Sequence, residues 1–307
     1  MSERKNYDVI VIGAGPGGLT AALYAARANL KVVILDRGIY GGQMNNTAGI
    51  DNYPGFVDIQ GPELGEKMYQ TAMNAGAEFA YGDVQKIEQD GNQKIIKTDS
   101  GEYEAAAVVI ATGAVHKHLG VAGEEEYAGK GVSYCAVCDG PFFKGDEVAV
   151  VGGGNSALEE AIYLTKFAKK VHLIVRRDVF RADKIIQDHV QANDKIEIHF
   201  LKKPHHLIAK DNKVAAIALE DSKTGEVSEL AVKGVFPFVG LDPITDFVKD
   251  LGITDERGYI ITNELMETSV KGIYAAGDVR QKVLRQVVTA TNDGAIVGQQ
   301  VGQGLNN

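Results

Sequence analysis

The amino-acid sequence predicts an α/β protein with two similar domains, the second inserted into the first. A strand, a glycine turn, a helix and a second strand follow one another at 8–37, DVIVIGAGPGGLTAALYAARANLKVVILDR, and the same order returns at 147–177, EVAVVGGGNSALEEAIYLTKFAKKVHLIVRR. The length of 307 residues suits two domains. We expect two Rossmann-like, three-layer dinucleotide-binding domains: one formed by 1–116 and 244–307, the other by 117–243.

Composition and charge exclude several classes of protein. The chain has 32 Lys and Arg against 41 Asp and Glu, a net charge of −9, which disfavours a nucleic-acid partner. Only two cysteines occur, too few for a secreted disulfide framework. The apolar run 9–12 is too short for a signal peptide or a membrane span. We therefore expect a cytoplasmic protein without a membrane partner.

The first glycine turn has the pattern GxGxxG, formed by Gly13, Gly15 and Gly18 between a strand and a helix. Asp36 ends the next strand at about the distance, roughly 20 residues, expected of an acid that binds a ribose hydroxyl. Backbone N–H groups and the helix N-terminus at such a turn favour a pyrophosphate. The alternative is a strand-to-helix turn that binds no ligand.

Two later apolar strands end alike, each at a glycine. The apolar strand 108–111 stops at Thr112 and Gly113, and the strand in GIYAAGDVR stops at a glycine and Asp278. An apolar-periodic helix is predicted from Leu284 to Val301. Asp278 is either a ligand-binding acid or only the N-cap of that helix. The loop-like segments 116–126 and 239–245 are candidate hinges.

The second glycine turn, with Gly152, Gly154 and Ala157, has no acid at the ribose position. A basic cluster follows the next strand instead, namely Arg176, Arg177 and Arg181, with Lys184 beyond it. Arginine binds a 2′-phosphate where an acid would repel it, so the sequence favours NADP(H) over NAD(H). The alternative is a solvated helix start.

Both cysteines lie in the segment CAVCDGP. The spacing of Cys135 and Cys138 allows a small disulfide ring, and Asp139 is placed to hold a proton for a leaving thiolate. The alternatives are a zinc site with His116 and His118, or an inert buried pair. No resident metal is expected, and the other histidines are interpreted as structural or surface residues: His172, His189, His199, His205 and His206.

Together these motifs closely resemble the low-molecular-weight bacterial thioredoxin reductases, a branch of the flavoprotein pyridine-nucleotide disulfide reductases. The resemblance covers nearly the whole chain and rests on GAGPGGL, GGQ at 41–43, DNYPG at 51–55, ATG, CAVCD, GGGNSALEE, RRDVFRA, AAGD and RQVVTA. It implies FAD in the first domain and NADPH in the insert. The implied FAD contacts are Gly13, Gly15, Gly18, Asp36, Gln43, Asn52, Asp278, Arg285 and Gln286.

The resemblance further implies a reaction path from NADPH through FAD to the Cys135 and Cys138 disulfide, with Cys138 nearer the flavin. Thioredoxin is the implied protein substrate, and the chain is expected to form a homodimer and to need a hinge rotation during turnover. Val175 stands where the family's phosphate motif has a histidine, which weakens one contact. The alternatives are another disulfide substrate such as a peroxidase component, another electron donor, and a non-catalytic flavoprotein redox sensor.

Overall fold

The computed structural model describes residues 4–46, 49–50, 52–57 and 59–306, except the side chains of residues 137, 138 and 306. The chain forms two compact units. Unit 1 consists of Met1–Val115 and Asp242–Asn307, and unit 2 of His116–Leu241. Within the described residues, no helix is long and apolar enough to cross a membrane. Strands and helices are numbered below in chain order.

Unit 1 is built on a seven-stranded sheet in which β1 pairs in parallel with β2 and β6. β16 adds in parallel to the last residues of β6, while β5 pairs antiparallel with its beginning. The strands are β1 (Lys5–Ile12), β2 (Val32–Asp36), β3 (Glu78–Tyr81), β4 (Val84–Asp90), β5 (Gln93–Thr98), β6 (Gly101–Ile110) and β16 (Ile273–Ala275). The last residues of β1, β2, β6 and β16 meet at one edge, as parallel pairing requires.

Three helices cover one face of this sheet: α1 (Pro16–Arg27), α2 (Gly61–Asn74) and α6 (Val287–Asn306). α6 begins at Val287 rather than at Leu284, because the segment before it is a turn in which the Gln286 N–H donates to Thr289 Oγ1 at 3.1 Å. A Cβ added at Gly294 would lie 2.3 Å from the Gly17 carbonyl oxygen, so α6 approaches α1 closely. Alternate apolar residues of the strands pack on the other face with Val248, Ile253 and Ile260.

Unit 2 contains the parallel sheet β10-β9-β8-β14. Helices α3 (Ala136–Asp139), α4 (Asn155–Leu164) and α5 (Lys184–Gln191) lie on one face, and the antiparallel sheet β11-β12-β13 covers the other. The strands are β8 (Glu147–Val151), β9 (Lys170–Val175), β10 (Ile196–Phe200), β11 (Lys202–Lys210), β12 (Lys213–Asp221), β13 (Val227–Ala231) and β14 (Gly234–Pro237). Where the chain passes between the units, β7 (Ala114–His116) pairs with β15 (Leu241–Pro243).

Candidate active site

The first glycine turn joins β1 to α1 at the carboxyl edge of the unit 1 sheet. Gly13 has φ +106°, and a Cβ there would lie 2.3 Å from the Ala111 carbonyl oxygen, so no side chain fits. A Cβ at Gly18 would lie 1.9 Å from the Gly13 oxygen. At Gly15 the same position meets no atom within 4 Å. The turn is therefore closed on the protein side and open at Gly15, as a dinucleotide site requires.

Asp36 at the end of β2 is tied to this turn. Its Oδ2 accepts the Ala14 N–H at 2.7 Å and its Oδ1 accepts the Gly38 N–H at 2.8 Å. A carboxylate has about four acceptor positions, so two remain for ribose hydroxyls. The arrangement fits the role expected of Asp36, and it also fixes the glycine turn.

Asp278 lies on a short 3₁₀ turn, Gly277–Val279, directly after β16. Its Oδ1 is buried without a hydrogen-bond partner in the described structure. Burial raises the pKa of this carboxyl, Asp293 adds to the effect, and Lys282 and Arg285 oppose it. A buried acceptor without a donor is costly in the protein alone, and a ligand hydroxyl or N–H would satisfy it.

Asp293 on α6 holds the Asp278 turn in place, a role that no sequence pattern indicates. Its Oδ2 accepts the Gly277 N–H at 3.0 Å and contacts Lys282 Nζ at 2.7 Å and Arg280 Nη1 at 2.9 Å. The side chain is only 4% exposed, so this is a buried ion cluster. Lys282 therefore pairs with Asp293, while its charge also acts on Asp278.

The other residues expected at the FAD site also lie in unit 1. Arg285 and the pair Asn52 and Gln286 belong to one group, and Gln43 lies on another segment. The Arg285 Nε donates to the Asp278 carbonyl at 3.2 Å, and its guanidinium lies 4.0 Å from the Tyr259 ring centre. The Asn52 side-chain amide donates to Gln286 Oε1 at 3.1 Å, although 234 positions separate the two in the chain. The Gln43 Nε2 donates to the Ala114 carbonyl at 3.1 Å. Residue 51 of the DNYPG motif lies outside the described residues.

The second glycine turn joins β8 to α4 in unit 2 and repeats the geometry of the first. A Cβ at Gly152 would lie 2.3 Å from the Phe238 carbonyl oxygen and 2.7 Å from the Ala157 Cβ, whereas at Gly154 it would meet no atom within 4 Å. A residue larger than Ala157 at the third position of the pattern would collide with the backbone of the glycine turn. This turn also has an open side.

The basic segment after β9 is fastened to this second turn. The Arg181 N–H donates to the Gly153 carbonyl at 2.7 Å, and Asn155 and Asp183 exchange two hydrogen bonds of 2.7 and 2.8 Å. Arg176, Arg177 and Arg181 are exposed, and no ion pair to their guanidinium groups is found in the described part of the chain. Three positive charges thus lie beside a glycine turn without an internal counter-charge.

Val175 cannot make the polar contact that a histidine at this position would make. It is 3% exposed and belongs to the core beneath α4. Its Cγ1 would lie 3.0 Å from a Cβ added at Gly153, so the side chain packs under the glycine turn.

Cys135 directly precedes the single helical turn α3, Ala136–Asp139. Cys135 is disulfide-bonded, and the sequence has one other cysteine, Cys138. The Asp139 N–H donates to the Cys135 carbonyl at 3.1 Å, and Ser133 Oγ accepts the Cys135 N–H at 3.1 Å. Cys135 and Asp139 are both partly exposed, while the side chain of Cys138 lies outside the description. A disulfide within one turn of chain can exchange with external thiols.

The structure disfavours the zinc alternative at this segment. His118 Nδ1 lies 2.7 Å from the Tyr134 hydroxyl, which also donates to Glu124 at 2.6 Å. The His116 ring packs edge-on against Phe238, and burial lowers its pKa. Because the sulfur of Cys135 is in a disulfide, it is not available as a thiolate ligand.

Glu160 on α4 is a second buried acid that the sequence pattern did not reveal. Its Oε2 is buried without a partner in the described structure, and burial, with a smaller effect of Glu159, raises its pKa to about 7. Only its position on an otherwise apolar helix face of unit 2 could have signalled this.

Comparison with known proteins identifies the family of the chain. A sequence model of the pyridine nucleotide-disulphide oxidoreductase family matches residues 7–294. The chain is 53% identical over 301 residues to a thioredoxin reductase of Bacillus subtilis, covering 98% of this chain and 95% of that one. It is 52% identical over 298 residues to one of Listeria innocua, covering 97% and 93%.

Solved structures give the same result. The thioredoxin reductase of Lactococcus lactis matches with a TM-score of 0.94 and 50% identity, covering 97% of this chain and 98% of that one. The predicted fold class and the resemblance found in the sequence are therefore confirmed. The chain belongs to the thioredoxin reductases of the pyridine nucleotide-disulphide oxidoreductase family.

Proposed function

We propose that this protein reduces the disulfide of a thioredoxin with electrons from NADPH, through FAD and the cysteine pair Cys135 and Cys138. The observation that supports this most directly is the Cys135 disulfide, held at one helical turn in the same unit as an open glycine turn with three exposed arginines. The relatives' names supply the substrate, since they are thioredoxin reductases.

We assign 1–116 and 244–307 to an FAD-binding domain and 117–243 to an NADPH-binding domain that also holds the cysteine pair. The residues of the first fit FAD because Gly15 leaves space beside the turn and Asp278 has a buried oxygen without a donor. When bound, FAD takes two electrons from NADPH and passes them to a disulfide. Asp36 and Asp278 would accept hydrogen bonds from it, and the N–H groups of the glycine turn would hold its pyrophosphate.

The arginines specify the phosphorylated cofactor. Arg176, Arg177 and Arg181 supply charge for a 2′-phosphate, which NADH lacks. A variant with Arg176→Ala and Arg177→Ala should therefore show a higher KM for NADPH and an unchanged KM for NADH. Each lost charged hydrogen bond is worth about 1.5–3 kcal/mol. An equal loss with both cofactors would remove this assignment.

The reduced cysteine pair works by thiol–disulfide exchange. The Cys135 thiolate attacks one sulfur of the thioredoxin disulfide, so that bond breaks, a mixed disulfide forms and a thiolate leaves on thioredoxin. The Cys138 thiolate then attacks the Cys135 sulfur, which restores the internal disulfide and releases the second thioredoxin thiolate. Asp139 is the proposed source of the proton that the leaving thiolate takes up.

Single cysteine variants test these roles. In Cys138→Ser, no thiol remains to resolve the mixed disulfide, so a covalent complex with thioredoxin accumulates. Cys135→Ser serves as the matched control and should form none, while both variants keep FAD and its reduction by NADPH. Mass spectrometry of each variant mixed with oxidised thioredoxin measures the complex. Trapping by Cys135→Ser alone would reverse the two roles, and full turnover by either variant would remove the pair from the mechanism.

A homodimer and a cytoplasmic location complete the proposal. An apolar groove in unit 1, between α1, α2 and α6, is lined by side chains that include Leu23, Tyr24, Phe56 and Val288. A second copy of the chain would remove this surface from water. A redox pair that must cycle suits a reducing compartment. Light scattering that gives the mass of one chain at micromolar concentration would contradict the dimer.

A further inference from the structure

Four polar side chains gather on one face of the unit 2 parallel sheet, away from the glycine turn of that unit. Val171, Leu173 and Val175 of β9 pack toward the helices, so His172 points to the opposite face. In β10, Ile196, Ile198 and Phe200 likewise pack toward the helices, which leaves Glu197 and His199 on the face of His172. The register places Glu197 directly opposite His172.

The distances within this cluster match those between the ligands of one metal ion. His172 Nδ1 lies 3.0 Å from His199 Nε2, and His199 Nε2 lies 3.4 Å from Glu197 Oε1. All three ligand atoms lie within 4.8 Å of one another. Tetrahedral zinc with bonds of about 2.0–2.2 Å separates its ligand atoms by roughly 3.3–3.6 Å. Small side-chain adjustments would therefore close the site around an ion.

Glu147 of β8 gives His172 the second contact that metal-binding histidines usually have. The His172 Nε2 lies 3.0 Å from Glu147 Oε2. A proton on Nε2, donated to this carboxylate, leaves the lone pair of Nδ1 directed at His199. Lys169 pairs with the other oxygen of Glu147, and Lys170 pairs with Glu197 Oε2, so Glu197 Oε1 stays turned to the cluster.

We propose that His172, Glu197 and His199 bind one divalent transition-metal ion of the zinc type, with Glu147 orienting His172. His172 is 5% exposed and His199 is 20% exposed in their side chains, whereas Glu197 is 45% exposed. An ion thus enters from the solvent side at Glu197, and water completes its coordination. Two imidazoles and one carboxylate suit Zn²⁺ and similar ions and disfavour Mg²⁺ and Ca²⁺. The ion would join β9 to the edge strand β10.

Metal titration of the whole protein tests this proposal independently of catalysis. The cysteine pair is kept oxidised, so that thiolates do not compete for the metal, and Zn²⁺ alone is titrated by calorimetry after treatment with a chelator. We expect one Zn²⁺ per chain, visible bands of tetrahedral Co²⁺ on substitution, and no binding of Mg²⁺. Absence of Zn²⁺ binding by the native chain would overturn the proposal.

Variants locate the bound ion. His199→Gln and Glu197→Gln change exposed or partly exposed side chains and should weaken Zn²⁺ binding by at least about 10-fold, and Glu147→Gln by about 10- to 100-fold. The control is the double variant His205→Gln, His206→Gln. It alters two adjacent histidines of β11 whose Nδ1 atoms lie 2.7 Å apart. It should bind Zn²⁺ as the native chain does. Loss of binding in this control, with binding kept in His199→Gln, would also overturn the proposal.

Discussion

Replacing Asp278 by Asn separates two opposite effects of this carboxyl. It lowers the stability of the FAD-free protein, and it strengthens the binding of FAD. The substitution keeps the shape of the side chain and removes its charge. Oδ1 of Asp278 is buried and has no hydrogen-bond partner among the described residues, and burial raises the pKa of the carboxyl. A raised folded-state pKa means that stability is full below the unfolded-state pKa and is lost as pH rises through the folded-state pKa. Above the unfolded-state pKa, the buried carboxyl therefore destabilises the protein without FAD.

Two opposite effects follow, and their sizes can be compared. A buried polar group without a partner costs about 1–3 kcal/mol. A charged group costs more than a neutral one, and Lys282 and Arg285 offset part of this excess, so Asp278→Asn should stabilise the FAD-free protein by at most about 1 kcal/mol. A hydrogen bond to a charged acceptor is worth about 1.5–3 kcal/mol, so the variant should bind FAD about 10- to 150-fold more weakly.

The assay uses FAD-free protein at pH 8. Urea unfolding gives the free energy of unfolding, and the quenching of FAD fluorescence on addition of protein gives Kd. Asp293→Asn is the contrasting variant, because it breaks a buried cluster with Arg280 and Lys282 and should lower stability by about 3–5 kcal/mol. A less stable Asp278→Asn that binds FAD as tightly as the native chain would refute the reasoning.

Two further predictions concern stability. Burial raises the pKa of Glu160 from 4.5 to about 7, so the folded protein loses stability as pH rises between about 4.5 and 7. Glu160→Gln should remove this loss and raise the free energy of unfolding by at most about 3 kcal/mol at pH 8. Urea unfolding at pH 5 and pH 8 measures this, and an unchanged pH dependence would contradict it. Gly294→Ala should destabilise by about 1–3 kcal/mol because its Cβ would lie 2.3 Å from the Gly17 oxygen. In the matched variant Gly304→Ala, the added Cβ meets no atom within 4 Å, and the free energy of unfolding should rise by up to about 1 kcal/mol. Equal shifts of the melting temperature in the two variants would contradict the packing of α6 on α1.

The sequence predicts those parts of the site that depend on local chain geometry. At Gly13 and at Gly152, a Cβ would collide with a carbonyl oxygen at the end of another strand, so only glycine fits. These required glycines are visible in the sequence as a pattern between an apolar strand and a helix. Asp36 ends a buried strand and Arg176 directly follows one, so their place at the sheet edge also follows from the pattern.

The remaining parts depend on contacts between distant segments. Asp293 reaches Gly277 only because α6 folds back against the turn after β16. His172 meets His199 because the register of β9 and β10 and the side-chain alternation place both on one face. Without a known register, scattered histidines are interpreted from the sequence as structural or surface residues. Strand register and helix packing are set by the whole core, and no local pattern records them.

The most direct measurement follows NADPH oxidation by the FAD-loaded protein as oxidised thioredoxin is added. We expect sustained turnover that requires thioredoxin and yields two thioredoxin thiols for each NADPH consumed. Oxidation that stops after a stoichiometric amount of NADPH despite excess thioredoxin would identify a redox sensor instead. A flavin that NADPH does not reduce would contradict the assignment of Arg176, Arg177 and Arg181 and with it the proposed path of electrons.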